Sequence, residues 1–427
     1  MEAEHGEPVV ELNLDTIPVE VLLQIFNYVD ATDLLRRVAL VSKYFHNILS
    51  NSMTWKIKQE KRWGGSGDRK YPPVDLFADD TEQPEYYASN FTNSSFPWAR
   101  ACVKREEQIK LWATNPSNPR MVHKSMNSHI GCIDSVYLFM RNDKMLLACG
   151  SRDRNVSIWS VDDLLSGDKP ISDAKLKHLT AAHEGWIWDF SMSSNSLFSC
   201  SWDTSVKNWD LETYTCKGVY KTKSALLSIS SSNDLLAIGA FNRKVTVLDA
   251  RESLNNTKPI HVYSPHTKSI LSVGLDSNYV ISCGEDGSCV KHDLRSKSTV
   301  SSFKLPKSEK PVYPTCMSFR ETTINLPYFY VGDNVGGVHL VDLLKFEIVR
   351  SSKLHNAPVR GVFHNLGSVV SCSKDGKLQI RDPSLALNEI GSVDVGDKID
   401  LPCVHSLNNA LVCGDGDGVV RVWGENP

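Results

Sequence analysis

The stretch His183–Asp210, HEGWIWDFSMSSNSLFSCSWDTSVKNWD, contains three short apolar runs separated by polar residues. The runs lie at 186–190, 197–200 and 206–209, and aromatic and β-branched residues bounded by polar clusters are the signal of β-strands. The stretch therefore predicts three strands in a row. Such a sheet is too small to be stable alone, so the fold depends on whether the unit recurs.

The end of this stretch recurs along the chain as a pair of small residues, a polar turn with an acid, an apolar alternation and a final Trp or Asp. With the first stretch there are seven copies. Their spacing of about 40 to 50 residues is longer than a leucine-rich or ankyrin repeat and matches a propeller blade. The other six copies are Cys149–Trp159, Gly239–Asp249, Cys283–Asp293, Val331–Asp342, Cys372–Asp382 and Cys413–Trp423.

These copies resemble the WD40 repeat family, and the resemblance covers residues 120–427. It implies a mainly β protein in which this region forms a seven-bladed β-propeller. In the copy quoted first, Asp203 in the turn can accept a hydrogen bond from His183, which can also reach Ser199 and through it Trp209. We therefore assign His183, Asp203 and Trp209 structural roles rather than the roles of a catalytic dyad.

Four copies depart from this pattern at the turn Asp or at the final Trp. We expect those copies to lose the hydrogen-bond network and to keep their alternating strands. The departures are Asn242 and Leu248 in the third copy, His292 in the fourth, Val335 and Val341 in the fifth, and Arg381 in the sixth.

The seventh copy ends at Trp423 and is followed by only four residues, 424–427, so it lacks a fourth strand. Residues 120–125 precede the first copy and can supply that strand. Pairing of the two chain ends would close the ring and protect the strand edges that an open array exposes.

Composition limits the classes of function. The 427 residues are 41% hydrophobic, which suits a large core and more than one domain. The formal net charge of -3 argues against a general affinity for nucleic acid or for an anionic membrane. No apolar run is long enough to span a bilayer. We expect neither a nucleic-acid partner nor a membrane partner.

The eleven cysteines are odd in number and form no CxxC pair, which argues against a zinc ribbon and a disulfide framework. They are predicted to be reduced core thiols. The acidic N-terminus lacks the pattern of a signal peptide, and no HExxH, GxSxG or P-loop motif occurs. We expect no catalytic residues, no metal and no cofactor, and a protein of the cytoplasm that can extend to the nucleus.

Residues 12–62 carry apolar residues at helical spacing in successive segments. The first segment follows Pro18, which suits a helix start, and Asp15 or Thr16 can cap it. A second helix is predicted from near Thr32, and a third follows it. Three helices of about 45 residues cannot bury all these apolar side chains, so the segment predicts a partner-binding surface rather than a plain helical hairpin.

This segment resembles the F-box, a small all-α domain. The resemblance implies binding to the Skp-type adaptor that connects to a cullin ubiquitin ligase core. Ile17 replaces the more common Leu at the start of the motif. The matching residues are Ile17-Pro18, Leu22-Leu23, Ile25-Phe26, Asp33-Leu34-Leu35, Val41-Ser42-Lys43 and Trp55.

By this resemblance, six apolar residues of the F-box contact the adaptor or fill the core behind the contact, and the sequence does not separate the two roles. They are Pro18, Leu22, Ile25, Phe26, Leu34 and Leu35.

The remaining segments complete the division of the chain into a disordered N-terminus at 1–11, the F-box at 12–62, a partly helical linker at 63–119 and the propeller. Within the linker, residues 64–95 are rich in Gly, Pro, Ser and acids and predict a loop. Residues 96–112 favour a connecting helix, although QIKLW at its end could instead be a strand.

The WD40 resemblance implies that a client protein binds one face of the propeller, where residues next to the turn Asp and before the first strands point. Arginine is a bidentate donor to phosphate and a Trp pair is a typical interface anchor, so the client could be phosphorylated. The alternative is that these are solvated loop residues. The candidates are Arg152, Arg154, Trp186, Trp202, Arg243 and Lys374, with Glu285 as the one acid.

Together the two resemblances predict the substrate-recognition subunit of a Skp-cullin-F-box ubiquitin ligase, in which the F-box binds the adaptor and the propeller holds the client. The alternative is a scaffold whose propeller binds proteins without ubiquitin transfer. The sequence does not distinguish the two.

Overall fold

The structure is a computed structural model that describes residues 17–63, 97–113, 121–168, 170–193, 196–307, 310–319, 328–397 and 399–425. The predicted disordered N-terminus, the caps Asp15 and Thr16 and the loop at 64–95 lie outside these residues.

The N-terminal unit is helical. Ser42 caps the third helix, because its hydroxyl accepts a hydrogen bond from the Phe45 amide at 3.1 Å. The fourth helix was not predicted, and Trp55 anchors it by donating from its indole nitrogen to the Leu49 carbonyl at 2.7 Å. The helices are α1 Val19–Tyr28, α2 Ala31–Arg36, a 3-10 turn Val38–Leu40, α3 Lys43–Ser50 and α4 Ser52–Trp63.

The helix that the sequence favours before the propeller is confirmed, and it includes QIKLW at its end: it is α5 Trp98–Trp112. The described residues form two compact units that divide within α5, one up to Glu107 with Ser384–Ala386 and the other containing the remainder from Gln108.

The last turn of α5 belongs to the propeller unit. Gln108 accepts hydrogen bonds from the Ser368 hydroxyl and the Trp112 indole, both at 3.0 Å. Leu111 and Trp112 are buried in a core cluster with side chains of the sixth and seventh blades. The propeller unit therefore includes the last turn of α5, which the sequence assigns to the linker.

Seven four-stranded antiparallel sheets form the propeller unit, which confirms the predicted mainly β fold with seven blades. A short helix, α6 Val161–Ser166, and a 3-10 turn, Ile171–Ala174, lie between the third and fourth strands of blade 1. The strands are, in blade 1, β2 Ile133–Arg141, β3 Lys144–Ser151, β4 Val156–Ser160 and β5 Lys175–Leu179; in blade 2, β6 Ile187–Ser193, β7 Ser196–Ser201, β8 Ser205–Asp210 and β9 Cys216–Lys221; in blade 3, β10 Leu226–Ser232, β11 Leu235–Ala240, β12 Val245–Asp249 and β13 His261–Tyr263; in blade 4, β14 Ile270–Leu275, β15 Tyr279–Gly284, β16 Ser288–Asp293 and β17 Ser298–Lys304; in blade 5, β18 Pro314–Met317, β19 Tyr328–Asp333, β20 Gly337–Asp342 and β21 Glu347–Lys353; in blade 6, β22 Val359–His364, β23 Val369–Ser373, β24 Lys377–Arg381 and β25 Glu389–Asp394; in blade 7, β26 Cys403–Leu407, β27 Ala410–Gly414, β28 Val419–Glu425 and β1 Met121–Asn127.

The two ends of the propeller region meet in blade 7, as the sequence predicts. Strand β1 pairs antiparallel with β28 in a register that runs from Met121 opposite Glu425 to Asn127 opposite Val419. The first strand of the region thus supplies the fourth strand of the last blade. This arrangement covers the edge of β28 that an open array would expose.

The polar network of blade 2 connects its loop, turn and second strand. His183 Nδ1 lies 2.9 Å from Asp203 Oδ2, and its Nε2 lies 2.7 Å from the hydroxyl of Ser199. The indole of Trp209 donates to the same hydroxyl at 2.8 Å. Burial lowers the pKa of His183 against the opposing effect of Asp203. We therefore assign a neutral ring that donates from Nδ1 to Asp203 and accepts from Ser199 at Nε2.

The expectation that the altered copies lose this network is wrong for blades 4 and 6. His266 lies 3.1 Å from Asp286 and 2.9 Å from the Ser282 hydroxyl. In blade 6, His355 lies 3.1 Å from Asp375 and contacts Ser371 in the same way. The physical reason is that the loop, the turn and the second strand supply these atoms. A change at the third-strand Trp position therefore removes only the hydrogen bond from the Trp indole to the serine hydroxyl.

Blade 5 uses a different histidine for the same purpose. Its acid is Asp333, which accepts the amides of Val335 and Gly337 and lies 2.9 Å from Nε2 of His339 on β20. The turn therefore remains ordered although Val335 occupies the usual Asp position.

Candidate partner-binding surfaces

The second residue of every first strand lines one cavity of about 570 Å³. Because strands alternate their side chains, this position faces the same way in all blades. The cavity is therefore bounded by the innermost strands of all seven blades. These residues are Asp134, Trp188, Leu227, Leu271, Thr315, Arg360 and Val404.

A second set of positions lies in the turn between the second and third strands, one residue before the usual Asp position. Four of these residues line the cavity, namely those of blades 1, 4, 5 and 6. The aromatic residues of blades 2 and 3 are exposed instead. The set is Arg152, Trp202, Phe241, Glu285, Asn334, Lys374 and Gly416.

The side chain of Arg152 is 33% exposed and is paired within its own blade. Its Nε and Nη2 donate to the two carboxylate oxygens of Asp134 at 2.7 and 2.9 Å. The guanidinium also lies 4.8 Å from the ring centre of Trp186 and 5.7 Å from that of Trp188. The charge of this group is therefore paired within blade 1, and the group lies close to two aromatic rings of blade 2.

The structure brings the predicted Trp pair together and adds two more aromatic rings. Trp186 and Trp202 have ring centres 5.8 Å apart, and Trp202 lies 5.5 Å from Trp188 and 5.9 Å from Phe241. Three of these four side chains are exposed: Trp186 is 41% exposed, Trp202 40% and Phe241 54%. We call Trp186, Trp188, Trp202 and Phe241 the aromatic cluster.

Arg154 and Arg243 occupy the left-handed position of their turns, with φ of 72° and 71°. Both side chains are exposed, and neither lines the cavity. Thr204 has the same conformation in blade 2, whereas blades 4 to 7 have glycine there. The two arginines therefore lie on the loops of the same face, separated by the turn of blade 2.

Lys374 and Glu285 line the same cavity as Trp188, from blades 6 and 4. The structure thus divides the six candidates for client binding. Arg152, Trp186 and Trp202 are together, Arg154 and Arg243 flank them on neighbouring turns, and Lys374 is separate.

Sequence reasoning missed Trp188, Phe241 and Asp134. A signal for Phe241 was present, because it occupies in blade 3 the repeat position that Trp202 occupies in blade 2. Trp188 was assigned only to a strand, although the second position of each first strand faces the cavity. No local signal joins Asp134 to Arg152, because Asp134 lies on the first strand of blade 1 and Arg152 lies in the turn after the second strand.

The cavity carries both signs of charge. Arg360 Nε lies 3.7 Å from Asp400 Oδ1, and Arg152 is paired with Asp134. Asp189 accepts the Ser228 hydroxyl and the Ile229 amide, both at 3.1 Å. The basic side chains of the cavity are therefore accompanied by carboxylates.

The N-terminal unit has an apolar surface as well as an apolar core. In α1, Leu22 and Phe26 are buried at 2% and 4% exposure, while Ile25 is 46% exposed and Tyr28 is 90% exposed. Positions 22 and 26 share one face of the helix, and Val21, Ile25 and Tyr28 share another.

The six predicted adaptor contacts therefore separate into two groups. Pro18, Ile25 and Leu35 are exposed, whereas Leu22, Phe26 and Leu34 fill the interior of the unit and support the surface from behind. Other exposed apolar side chains extend the surface beyond the predicted set. They are Val19, Val21, Tyr28, Leu40, Val41 and Met53.

No group of three or more His, Cys, Asp or Glu side chains in the described ranges could hold a metal ion. No helix in the same ranges is long and apolar enough to cross a membrane.

Comparison with protein families matches both parts of the chain. The F-box-like family matches residues 14–57, and the family described as WD domain, G-beta repeat matches residues 121–160, 174–210 and 257–293. With the helical unit and the seven-bladed propeller, these matches show an F-box-like segment followed by WD repeats, which is the arrangement named in F-box/WD-repeat proteins.

Individual relatives share this arrangement over most of their length. The chain is similar to F-box/WD repeat-containing protein 9 of Homo sapiens, with 27% identity over 99% of this chain and 84% of the relative. It is also 23% identical to F-box/WD repeat-containing protein mec-15 of Caenorhabditis elegans, over 79% and 77% of the two chains. The crystal structure of the computationally designed Ika8 protein matches the fold at a TM-score of 0.53 and 17% identity, covering 70% of this chain and 98% of that one.

Proposed function

We propose that this protein is the substrate-recognition subunit of a Skp-cullin-F-box ubiquitin ligase. The F-box binds a Skp-type adaptor through its exposed apolar surface, and the propeller binds a client protein through its loop face. The protein contributes no catalytic group to ubiquitin transfer. It raises the effective concentration of client lysines near the ubiquitin carrier.

The observation that carries the proposal is that α1 has apolar side chains on its exposed face as well as on its buried face. A helix that only completed its own core would expose polar residues on its outer side. Here Ile25 and Tyr28 are exposed while Leu22 and Phe26 already fill the interior. An uncovered apolar surface on a folded F-box is a feature of a protein-binding site, and the F-box family implies the adaptor as the occupant.

The test separates the surface from the core. Ile25→Glu combined with Leu40→Glu changes two exposed residues and is expected to abolish binding of the adaptor, because charges would lie in a desolvated apolar interface. The matched control is Ile260→Glu, which places the same charge on a propeller residue that is 45% exposed. Both are expressed in cells and purified, and co-purifying proteins are quantified by mass spectrometry.

The proposal predicts that the F-box pair loses adaptor and cullin while client proteins remain bound or accumulate, and that the control keeps all of them. Loss of client ubiquitination should accompany loss of the adaptor. If the wild-type protein binds clients but neither adaptor nor cullin, the protein is a non-degradative scaffold and the ligase proposal is wrong.

A further inference from the structure

We propose that the loops of blades 1 to 3 bind an acidic segment of the partner protein that carries an aromatic or large aliphatic anchor and does not need to be phosphorylated. This inference rests on the proposed function in one respect, namely that the loop face of the propeller is where the client binds. It adds the chemical class of the client segment.

A chain of backbone hydrogen bonds joins these loops into one continuous surface. The His183 amide donates to the Arg154 carbonyl at 3.2 Å, and the Trp202 amide donates to the Trp186 carbonyl at 2.8 Å. The Thr222 amide donates to the Thr204 carbonyl at 2.8 Å, and the Phe241 amide donates to the Ala225 carbonyl at 2.9 Å. We call residues 152–155, 183–186, 202–204, 222–225 and 241–244 the loop band.

The aromatic cluster supplies the anchor site of this band. Trp202 lies in its middle, with Trp186, Trp188 and Phe241 each within 6 Å between ring centres. Partly exposed Trp rings on a rigid scaffold give large contact areas at low entropic cost, which is why Trp dominates interface hot spots. The backbone hydrogen bonds hold these rings in place before binding, so little ordering is needed.

The exposed charges of the loop band are predominantly positive. Four basic side chains are exposed, and Glu184 is the one exposed acid among the band residues, all of which the structure describes. The turn acids are committed within the blades, since Asp153 lies 2.9 Å from His129 and Asp203 the same distance from His183. The basic residues are Arg154, Lys223, Arg243 and Lys244.

This charge complements carboxylates distributed along a segment better than a single phosphate. Arg152, the arginine nearest the Trp pair, is already paired with Asp134 in bidentate geometry. Arg154 and Arg243 are on turns of blades 1 and 3, with the turn of blade 2 between them. A phosphate clamp needs arginines that converge on one point, whereas several Asp or Glu residues on either side of an anchor can meet dispersed cations.

The first experiment identifies the preferred segment without assuming a client. A phage library of random, unphosphorylated 12-residue peptides is selected on the full-length protein and, in parallel, on the Trp202→Ala Phe241→Ala variant. We expect the wild type to enrich peptides with one aromatic or large aliphatic residue flanked by Asp or Glu, and the variant to lose that enrichment. Enrichment of neutral or basic peptides, or no enrichment over the variant, would overturn the proposal.

The second experiment measures the two contributions with one enriched peptide, labelled and titrated by fluorescence anisotropy. Removing the anchor site with Phe241→Ala, a residue 54% exposed, should weaken binding by about tenfold or more. Arg154→Gln with Arg243→Gln should weaken it several-fold and flatten its salt dependence. Lys304→Gln is the matched control, since this exposed base lies on β17 of blade 4, outside the loop band and the cavity, and should change affinity less than about twofold. Unchanged thermal unfolding verifies that the variants fold.

A phosphoserine form of the same peptide distinguishes the two sources of negative charge. The proposal predicts that the unphosphorylated form binds and that phosphate adds at most a modest gain. Binding that appears only with the phosphate would overturn it.

Neither experiment contains the adaptor, cullin or ubiquitin. If no acidic peptide with an apolar anchor binds, but a client is still ubiquitinated in an F-box-dependent way, the proposed class of client segment is rejected and the proposed function remains. Success here without adaptor binding would reject the ligase role and leave this surface as a protein-binding site.

Discussion

Arg152 and Asp134 form a bidentate ion pair, with nitrogen–oxygen distances of 2.7 and 2.9 Å, between a turn and a first strand of the same blade. The side chain of Arg152 is 33% exposed, whereas that of Asp134 is only 3% exposed. An arginine at this turn position suggests a ligand contact when only its own neighbourhood in the sequence is considered. In the folded protein its carboxylate partner belongs to the same blade, and its guanidinium lies 4.8 Å from the ring centre of Trp186.

The unequal burial of the two partners predicts unequal costs of removing them. Arg152→Met leaves a buried carboxylate without a counter-charge and should lower the free energy of unfolding by about 2–4 kcal/mol. Asp134→Asn leaves a partly solvated guanidinium and should cost only about 1 kcal/mol. Urea denaturation of both single variants and of the double variant measures the coupling. Equal costs that simply add would show that the pair does not interact.

The left-handed turns predict a case in which glycine stabilises. Arg154 and Arg243 have φ near 70°, where blades 4 to 7 have glycine. Arg154→Gly and Arg243→Gly should each raise the free energy of unfolding by about 0.5–1 kcal/mol, since relief of backbone strain exceeds the added entropy of the unfolded chain. Lys223→Gly is the control, because this exposed loop residue does not have positive φ, and it should be neutral or destabilising.

The same glycine variants should weaken binding of acidic peptides, because each removes one of the four exposed cations of the loop band. Greater stability with lower affinity is the expected combination. A stabilised Arg154→Gly protein with unchanged affinity would exclude that side chain from the binding surface.

Two neighbouring acids of the N-terminal unit, one buried and one partly exposed, are predicted to differ in how much their removal destabilises the unit. Glu106 is 4% exposed; it accepts the Ala31 amide at 2.7 Å and Arg62 at 2.8 Å, and lies 3.5 Å from Lys58. Glu106→Gln should destabilise the unit by about 3 kcal/mol, because Lys58 is left buried without its counter-charge.

The neighbouring residue provides the control for this prediction. Glu107 forms a 2.7 Å ion pair with Lys104 in which both side chains are about one-third exposed. Glu107→Gln should therefore cost less than about 0.5 kcal/mol. Hydrogen exchange of the amides of α1 and α2 measures the destabilisation caused by each substitution. If the two substitutions destabilise the unit to a similar extent, burial of Glu106 is not what makes its ion pairs important.

The repeat histidines predict acid sensitivity of the propeller. Burial is the main cause that lowers their pKa values, with the turn aspartates of the same blades opposing it. Below the unfolded-state pKa of about 6.5 the unfolded chain binds more protons than the folded chain, so the free energy of unfolding falls as pH decreases from there. The residues are His129, His183, His266 and His355.

His364 allows this pH effect to be tested at one position. It is buried, and burial lowers its pKa to about 4. Between pH 6.5 and 4 its contribution to the loss of stability is roughly 3 kcal/mol. His364→Phe keeps an aromatic ring beside Tyr328 and Tyr330 and should reduce the slope of stability against pH. If urea titrations between pH 7.5 and 4.5 give the same slope of unfolding free energy against pH for the variant and the wild type, His364 is not a source of the acid sensitivity.

Sequence periodicity predicted the fold because each blade is a local object. In blades 1 to 6 all four strands, and in blade 7 three of the four, are consecutive in the chain and pair with their sequence neighbours. An apolar alternation interrupted by turns therefore contains most of the information needed. The same reasoning located the closing strand, since a last copy without a fourth strand requires one from elsewhere. It failed for the hydrogen-bond networks of blades 4 and 6, because a change at the third-strand Trp position does not remove contacts made by the loop, the turn and the second strand.

The helical pattern of the N-terminal unit showed more apolar positions than a small domain can bury, but it could not tell inside from outside. Leu22 and Ile25 are equally apolar in the sequence, yet one is 2% exposed and the other 46%. That distinction depends on which face of α1 the other helices cover. Glu106, more than forty residues after α4 begins, also has no sequence signal that joins it to Ala31 and Lys58.

The sequence by itself determined the number of blades, the helical nature of the N-terminal unit and the family of each part, because repeats and local periods record local structure. Only the tertiary structure decided which candidates share a surface, that Arg152 is paired with Asp134, and that Trp202 lies between Trp188 and Phe241. The physical reason is that these contacts join side chains from different strands and blades. Their distances follow from the closure and register of the sheets and not from spacing along the chain.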